Sequence, residues 1–359
     1  MKKIIALPTD DDFIIVDDPN MLLISSGQNR FCVLRQIPSD EAKKLGLVVT
    51  KHIVDMTKST PQLKEEACLG EGSFGEVFVG CNVNFPSVRL AIKKMIDVEE
   101  AVMKNEFKLQ QQAAKANDGV VRVHDFICTV RPYVGWLVFD LADVSLHDAI
   151  LGKRLSVPNK IEIAYQIGEA LIKCHQNGVA HRDIKLSNIL LFVSEGVIKA
   201  RLADFGIAVD ATVRFLEFKG SLTNMAPEIR NMVTSIGFED ELEDAEAFKH
   251  YRECDAFSFG VLILDMMNDG HVLAALNDKF DHDEIKDVLG KRLSEQGAEV
   301  KALVSPLVSM GGSKRNLEAA VKALGAIRTP DGMTFTGSLV SRPAALATIF
   351  ENYTDSQHT

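Results

Sequence analysis

Clustered metal-binding residues are what this chain most plainly lacks. Its six cysteines (Cys32, Cys68, Cys81, Cys128, Cys174, Cys254) are scattered, with no Cys-x-x-Cys pair and no histidine-rich spacing. That pattern argues against a zinc module or a disulfide framework and implies structural thiols in a reducing compartment. Positive charge is also in short supply. Lys and Arg total 40 against 50 Asp and Glu, a formal net charge of −10. Nucleic acid is therefore not expected as the main partner, because phosphate backbones are met by basic faces. No apolar run reaches transmembrane length. The apolar start, Ile4 to Leu7, runs into Pro8 and three aspartates and is too short for the core of a secretion signal. Cytoplasmic residence is the expectation.

What is present is a 46% hydrophobic content, ample for sizeable cores. The length of 359 residues suits about two domains. The most informative stretch is His181-Arg182-Asp183-Ile184-Lys185-Leu186-Ser187-Asn188, followed sixteen residues after Asn188 by Asp204-Phe205-Gly206. Moving a phosphoryl group onto a hydroxyl needs a carboxylate to orient the hydroxyl, a cation near the transferring group, and oxygen ligands for a divalent ion. Asp183, Lys185, and the pair Asn188 and Asp204 supply these in order. Ahead of them Ala164, Ile167, Leu171 and Cys174 have helical spacing, and Asn177-Gly178 reads as that helix's stop. After them Ile189 to Val193 reads as a short buried strand.

Upstream, Leu69-Gly70-Glu71-Gly72-Ser73-Phe74-Gly75-Glu76-Val77 reads as a glycine-rich hairpin between strands. Its glycines let the turn lie close over an anion, and a strand rather than a helix follows, which disfavours a dinucleotide-binding turn. In that next strand Val88, Leu90 and Ile92 share one face, Ala91 and Lys93 the other. Asp97, with Glu100 three residues on, has the spacing of a capping box. Val98, Val102, Leu109 and Ala113 then form an apolar stripe with Glu106 in its middle. A carboxylate there is costly unless paired, and Lys93 is its natural partner.

This ordered set resembles the eukaryotic-type serine/threonine protein kinases. The resemblance covers residues 63–352 and implies an α+β fold of two lobes, a small mainly β lobe (63–141) and a large mainly α lobe (142–352). ATP with Mg²⁺ would bind between them, with Mn²⁺ as the alternative ion, and a protein would be the substrate. The resemblance implies that Leu69, Gly70, Gly72, Ser73, Gly75 and Val77 cover the nucleotide and that Val77, Ala91 and Leu190 sandwich its base. Phe139 would precede main-chain contacts from Asp140 and from Leu141 to Ala142. Lys93, fixed by Glu106, would hold the α- and β-phosphates, Lys185 would stabilise the γ-phosphoryl, Asn188 and Asp204 would ligate the metal, and Asp183 would be the catalytic base. Gln110, one turn past Glu106, stands where the family places an apolar residue.

Further on, Ala226-Pro227-Glu228 resembles the end of an activation segment, with Asn224 in place of the usual tyrosine. Asp255 to Leu264 resembles the central helix, with Phe257 in place of tryptophan and Asp255, at its start, binding the catalytic-loop backbone. Arg342 resembles the arginine that pairs with Glu228. Ser221 is expected to touch Asp183 and Lys185, and Glu217 to stand in for a phosphorylated residue facing Arg182. Residues 1–62 form an extension outside the pattern. Strand-like runs at Phe13–Val16, Met21–Ile24 and Phe31–Leu34 and a helix start at Ser39 mark it as a small α+β element docked on the kinase unit. An acidic surface helix at 239–246, a mobile loop at Gly311-Gly312-Ser313-Lys314 and a frayed tail at 353–359 complete the expectations.

Lysine two residues after Asp183 is the serine/threonine-type pattern. Two other classes are a pseudokinase acting as an allosteric binding module, and a small-molecule kinase. The first would keep the fold but lack a catalytic group, whereas Lys93, Asp183, Asn188 and Asp204 are all present here. The second shares the aspartate-to-asparagine loop and the aspartate turn but lacks counterparts of Ala226-Pro227-Glu228 and Asp255 to Gly260. The helix register yields a direct test. Glu106→Gln is expected to cut phosphoryl transfer strongly with little change in ATP affinity, and Glu100→Gln to leave both near wild type. Steady-state kinetics on the two variants check this, and equal losses would mean a different register.

Overall fold

The computed structural model describes residues 4–6, 14–18, 21–26, 29–34, 48–55, 62–72, 75–82, 85–130, 133–194, 197–214, 216, 219–232, 246–276, 279 and 281–328. Ser39, Ser73, Glu217, Arg342, the acidic stretch before Glu246 and the tail lie outside them. The described residues fall into two compact units. One is built from residues up to 107 with 122–142, the other from 108–121 and residue 143 onward.

The first unit is a sheet with one helix. In chain order its strands are β1 (Ile4–Ala6), β2 (Ile14–Asp18), β3 (Met21–Ser26), β4 (Asn29–Leu34), β5 (Val48–Asp55), β6 (Gln62–Cys68), β7 (Gly70–Gly72), β8 (Gly75–Asn82), β9 (Phe85–Ile96), β10 (Val123–Val130) and β11 (Tyr133–Asp140). Helix α1 (Glu100–Ala113) begins here. The main sheet runs β1-β2-β3-β4-β8-β9-β11-β10, with β7 also on β8, while β5 and β6 pair apart. Leu90 and Ile92 of β9 join Ile24, Phe31, Val33, Phe78, Trp136 and Val138 in one core, and Ala91 and Lys93 face the other way, as alternation requires.

The extension strands are where the apolar runs place them, and β4 extends the sheet by pairing with β8, Leu34 opposite Val79 and Phe31 opposite Asn82. This alters the glycine-rich hairpin. Only the short β7 pairs with the first half of β8, Gly70 opposite Val77 and Gly72 opposite Gly75, and the residues before it pair with β5 instead. The reason is occupancy: β4 holds the hydrogen-bonding edge of residues 79–82 that β6 would need. Gly75 is obligatory in the turn, because at φ +133° an added Cβ would lie 1.9 Å from the Lys94 carbonyl oxygen.

Helix α1 also differs from the capping-box reading. Its first backbone bonds run from Val102 and Met103 to the Glu99 carbonyl. Asp97 sits ahead of it, exposed, at φ +57°. Val102 is 46% exposed, and the buried face is Met103, Glu106, Leu109, Gln110 and Ala113. Leu109, Ala113 and Glu106 are thus buried as expected and Val98 packs on Met95, Met103 and Leu137, so the stripe departs at Val102 alone, whose place Met103 takes.

The second unit is mainly helical. It contains β12 (Val144–Ser145), α2 (Leu146–Leu151), α3 (Val157–Gln176), β13 (Val179–Ala180), β14 (Ile189–Ser194), β15 (Val197–Leu202), β16 (Val209–Asp210), α4 (Pro227–Met232), α5 (Glu246–Met267), α6 (Val272–Leu276), α7 (His282–Ser294), α8 (Ala298–Leu307) and α9 (Leu317–Ile327). The Ser145 and Ser156 hydroxyls cap α2 and α3 by accepting from Asp148 and Asn159 amides. Ala164, Ile167, Leu171 and Cys174 of α3 and Phe257, Phe259, Val261 and Leu264 of α5 share one core. Helix α5 begins at Glu246, so Asp255 lies inside it rather than at its start. The expected mobile loop at Gly311–Lys314 contains a 3-10 turn, Gly312–Lys314. No helix among the described residues is long and apolar enough to cross a membrane.

Helix packing here depends on close approach at Gly260, where an added Cβ would meet Leu307 Cβ at 2.8 Å and Val308 Cγ1 at 2.9 Å. Overpacking costs about 1–3 kcal/mol, more than the roughly 1 kcal/mol of helix propensity that alanine gains over glycine. Gly260→Ala should therefore lower the melting temperature. Gly290, helical and exposed with nothing within 4 Å of the added carbon, should raise it on the same substitution. Parallel thermal melts of the two variants check the opposite signs.

Candidate active site

In the second unit the site hangs from one buried carboxylate. Asp255, fully buried in α5, accepts the His181 amide at 2.8 Å and the Arg182 amide at 2.7 Å, and His175 Nε2 lies 2.9 Å from its Oδ2. These bonds hold Arg182 at φ +71°, a left-handed conformation that costs a non-glycine residue of order 1–3 kcal/mol. One helical turn before Asp255, Tyr251 lies under the Arg182 guanidinium at 4.4 Å from the ring centre.

The loop so held presents Asp183. Lys185 Nζ is 2.7 Å from Asp183 Oδ2, and Asn188 Nδ2 donates to the same oxygen and to the Asp183 carbonyl, each at 2.9 Å. The Ser221 amide donates to Oδ1 at 3.2 Å, and Lys185 Nζ donates to Ser221 Oγ at 2.6 Å. Because both acceptors lie on one side of the Asn188 amide, its nitrogen is assigned there and its Oδ1 is left to meet a ligand. His181 Nδ1 accepts the Asp183 amide at 3.3 Å, so the ring proton sits on Nε2, which donates to the Ala203 carbonyl at 3.0 Å. The ring stands edge-on to Phe205, 4.6 Å between centroids. The Ala203 amide bonds the Asn188 carbonyl at 2.9 Å, which ties Asp204, at φ +65°, to the loop carrying Asn188. Asp183, Lys185 and Asn188 are thus in contact, and Asp204 adjoins them through the main chain.

Burial pushes the Asp183 carboxyl upward, but the Lys185 charge and the hydrogen bonds from Lys185 and Ser221 outweigh it, and the net direction is below the ordinary carboxylate value.

In the first unit Lys93 Nζ meets Glu106 Oε1 at 2.8 Å, with both side chains buried. The pairing expected from the stripe is present. Lys93 lies opposite Val77 on β8 and Leu137 on β11. Leu69, half-buried, donates its amide to the Val77 carbonyl at 2.6 Å, and Ala91 lies between Val79 and Phe139 on neighbouring strands. Phe139 packs on Met95, Met103 and Leu137. Asp140 ends β11, its Oδ1 2.6 Å from His124 Nε2, and Leu141 and Ala142 follow, both buried. Leu190, in the second unit, is half-buried in β14 opposite Ser145. Gln110 is buried, and its Nε2 donates to the Val121 carbonyl at 2.8 Å.

Below the site the expected arginine is corrected. Glu228 is gripped through both oxygens by Arg315, with Nη1 on Oε1 and Nη2 on Oε2 at 2.9 Å, whereas Arg342 lies outside the described residues. Arg315 follows the 3-10 turn and also lies 4.8 Å from the Phe257 ring centre. Arg230 escaped the sequence reading altogether. It is fully buried, and burial lowers its pKa to about 10. A single arginine after Ala-Pro-Glu-Ile carries no periodic signal that separates it from a surface residue.

The family model described as protein kinase domain matches residues 63–321. Over 212 residues the chain is 28% identical to a putative mitogen-activated protein kinase kinase kinase 7-like protein of Drosophila melanogaster, a match covering 56% of this chain and 48% of that protein. It is 30% identical over 176 residues to the calcium/calmodulin-dependent protein kinase type II alpha chain of the same fly, covering 46% and 32%. It is 30% identical over 206 residues to serine/threonine-protein kinase pkn2 of Myxococcus xanthus, covering 54% and 23%. The matches thus span about half or less of each relative's length.

The depressed Asp183 pKa sets a pH test. Stability from this carboxylate is fully present above its unfolded value, ordinarily about 3.9, and is lost as pH falls through the lower folded value. The melting difference between wild type and Asp183→Asn should stay constant from neutral pH down to about pH 5. It should shrink only in more acidic buffer, which melts across a pH series read out directly.

Proposed function

This chain belongs to the protein kinase family, and on that premise we propose that it transfers the γ-phosphoryl group of ATP to serine or threonine hydroxyls of protein substrates. The observation that carries the reading is the set around Asp183. One carboxylate, one lysine, one asparagine and a backbone amide converge on a single point, supported from behind by buried Asp255. Asp183 aims the acceptor hydroxyl at the γ-phosphorus. With its pKa lowered it is a weak base, so it takes the proton late, as the new P–O bond forms and ADP departs. Lys185 neutralises charge on the transferring group, and Lys93, oriented by Glu106, holds the α- and β-phosphates.

Asn188 Oδ1 and Asp204 are hard oxygen donors. Mg²⁺ is commonly held by one or two protein oxygens, with water and phosphate oxygens completing its shell, so these two residues fit it. When bound, the ion draws charge from the phosphate oxygens. The serine/threonine preference rests on Lys185 beside Asp183 and on the similarity to the serine/threonine-protein kinase of Myxococcus xanthus. Residues 1–62 are assigned as an extension and 63–352 as the kinase domain, and cytoplasmic residence agrees with free thiols at Cys68, Cys81, Cys128, Cys174 and Cys254.

Asp183→Asn and Lys93→Ala should each reduce phosphoryl transfer by at least about 10²-fold with the folded far-UV circular dichroism spectrum retained. The assay pairs labelled ATP with serine/threonine-containing proteins, tyrosine-only peptides, sugars and amino alcohols. Transfer confined to the first class is expected. Transfer to the small alcohols would favour a small-molecule kinase, and ATP binding without any transfer would favour an allosteric binding module.

A further inference from the structure

Three successive carbonyls beside the reactive carboxylate are all bonded to buried side chains. The Thr223 carbonyl accepts Arg230 Nη2 at 2.9 Å, the Asn224 carbonyl accepts Ser258 Oγ at 2.7 Å, and the Met225 carbonyl accepts Arg230 Nε at 3.0 Å. Arg230 Nη1 bonds two more carbonyls, Leu276 at 3.1 Å and that of Lys279. Every hydrogen bond shown for this guanidinium goes to the main chain. Among the described residues this buried cation is met by carbonyl dipoles, an arrangement expensive to desolvate, and five donors in a rigid fork are what several fixed acceptors require.

The same short stretch touches the catalytic loop twice. Ser221 bonds Asp183 and Lys185 as described, and Asn224 Nδ2 donates to the carbonyl of Ile184, the residue between them, at 2.5 Å. Through Ser221 and Asn224 this stretch forms a wall beside the Asp183–Lys185 loop. The backbone of that wall is fixed from the far side by Arg230.

We propose that Arg230 is the positioning residue for the acceptor side of the site: it fixes the Thr223–Met225 backbone so that Ser221 and Asn224 keep their contacts with the Asp183–Lys185 loop. This rests on the kinase reading, since it deepens the same site. Arg230 touches neither nucleotide-side group, Lys93 nor Glu106, in its bonding. Its loss is therefore felt by the protein acceptor and not by ATP binding.

The test uses the full chain with Arg230→Met, which keeps much of the length and removes the charge, and Arg230→Lys, which keeps the charge without the fork. Three quantities are read: affinity for a fluorescent ATP analogue, kcat and KM for a serine/threonine protein substrate, and amide hydrogen exchange of residues 221–228. Both variants are expected to bind nucleotide within about 2-fold of wild type, to lose at least about 10-fold in kcat/KM toward the protein substrate, and to exchange faster at 221–228, with Met worse than Lys. Should Arg230→Met fail to fold, Arg230→Lys carries the comparison. Unchanged exchange at 221–228 would overturn the proposal, as would losses of nucleotide binding and transfer in equal proportion. If wild type transfers no phosphate to any acceptor, the kinase reading fails by itself. The exchange measurement still decides the role of Arg230.

Discussion

The second unit depends on one carboxylate that solvent never reaches. Asp255 presents two oxygens to consecutive amides of the loop that begins at His181, and that loop carries Asp183, Lys185 and Asn188. A loop has no internal ladder to rigidify it, so its main-chain donors must be met from outside. Helix α5 meets them from within the core. Tyr251, Asp255 and Ser258 lie along one face of that helix and engage Arg182, the loop amides and the Asn224 carbonyl respectively. A rigid, buried element thereby sets side-chain positions at a site that must itself meet solvent and substrate.

Buried charge is handled in three ways. Lys93 and Glu106 neutralise one another. Glu228 and Arg315 pair through both carboxylate oxygens, the geometry that best offsets desolvation. Arg230 relies on carbonyl dipoles and keeps its charge with its pKa lowered. Asp183 stands apart: its ionised form is favoured by Lys185 and Ser221 despite burial. Each arrangement spends desolvation energy to hold a particular segment of chain, and each segment so held borders Asp183, Lys93 or the Ala226-Pro227-Glu228 stretch.

Much of the site was legible before any coordinates. Asp183, Lys185, Asn188 and Asp204 stand out by residue type and spacing, Lys93 and Glu106 by strand alternation and an apolar stripe, and Ser221 and Asp255 only through the resemblance to kinases. The contacts now seen at Glu106, Ser221 and Asp255 match those expectations. The stripe of α1 was less legible, since Val102 and Met103 are both apolar and only packing exposes the first and buries the second. Arg315 and Arg230 were missed because no periodic pattern surrounds them, and because Arg315's partner Glu228 and Arg230's partners Leu276 and Lys279 are distant in sequence.

By itself, then, the sequence determined the reactive groups, their order and the local elements that carry them. Those follow from side-chain chemistry and from periods of two and 3.6 residues, which are properties of short segments. Only the tertiary structure decided which distant groups meet. It put Arg315 on Glu228 across 87 residues, and β4 on the edge of β8 that the strand before the glycine-rich turn would otherwise take. It also brought Arg230 to the carbonyls of Leu276 and Lys279. A cation has many chemically equivalent carboxylates and carbonyls along a chain. Which of them it reaches is settled by how helices and strands pack, information that no short stretch of sequence contains.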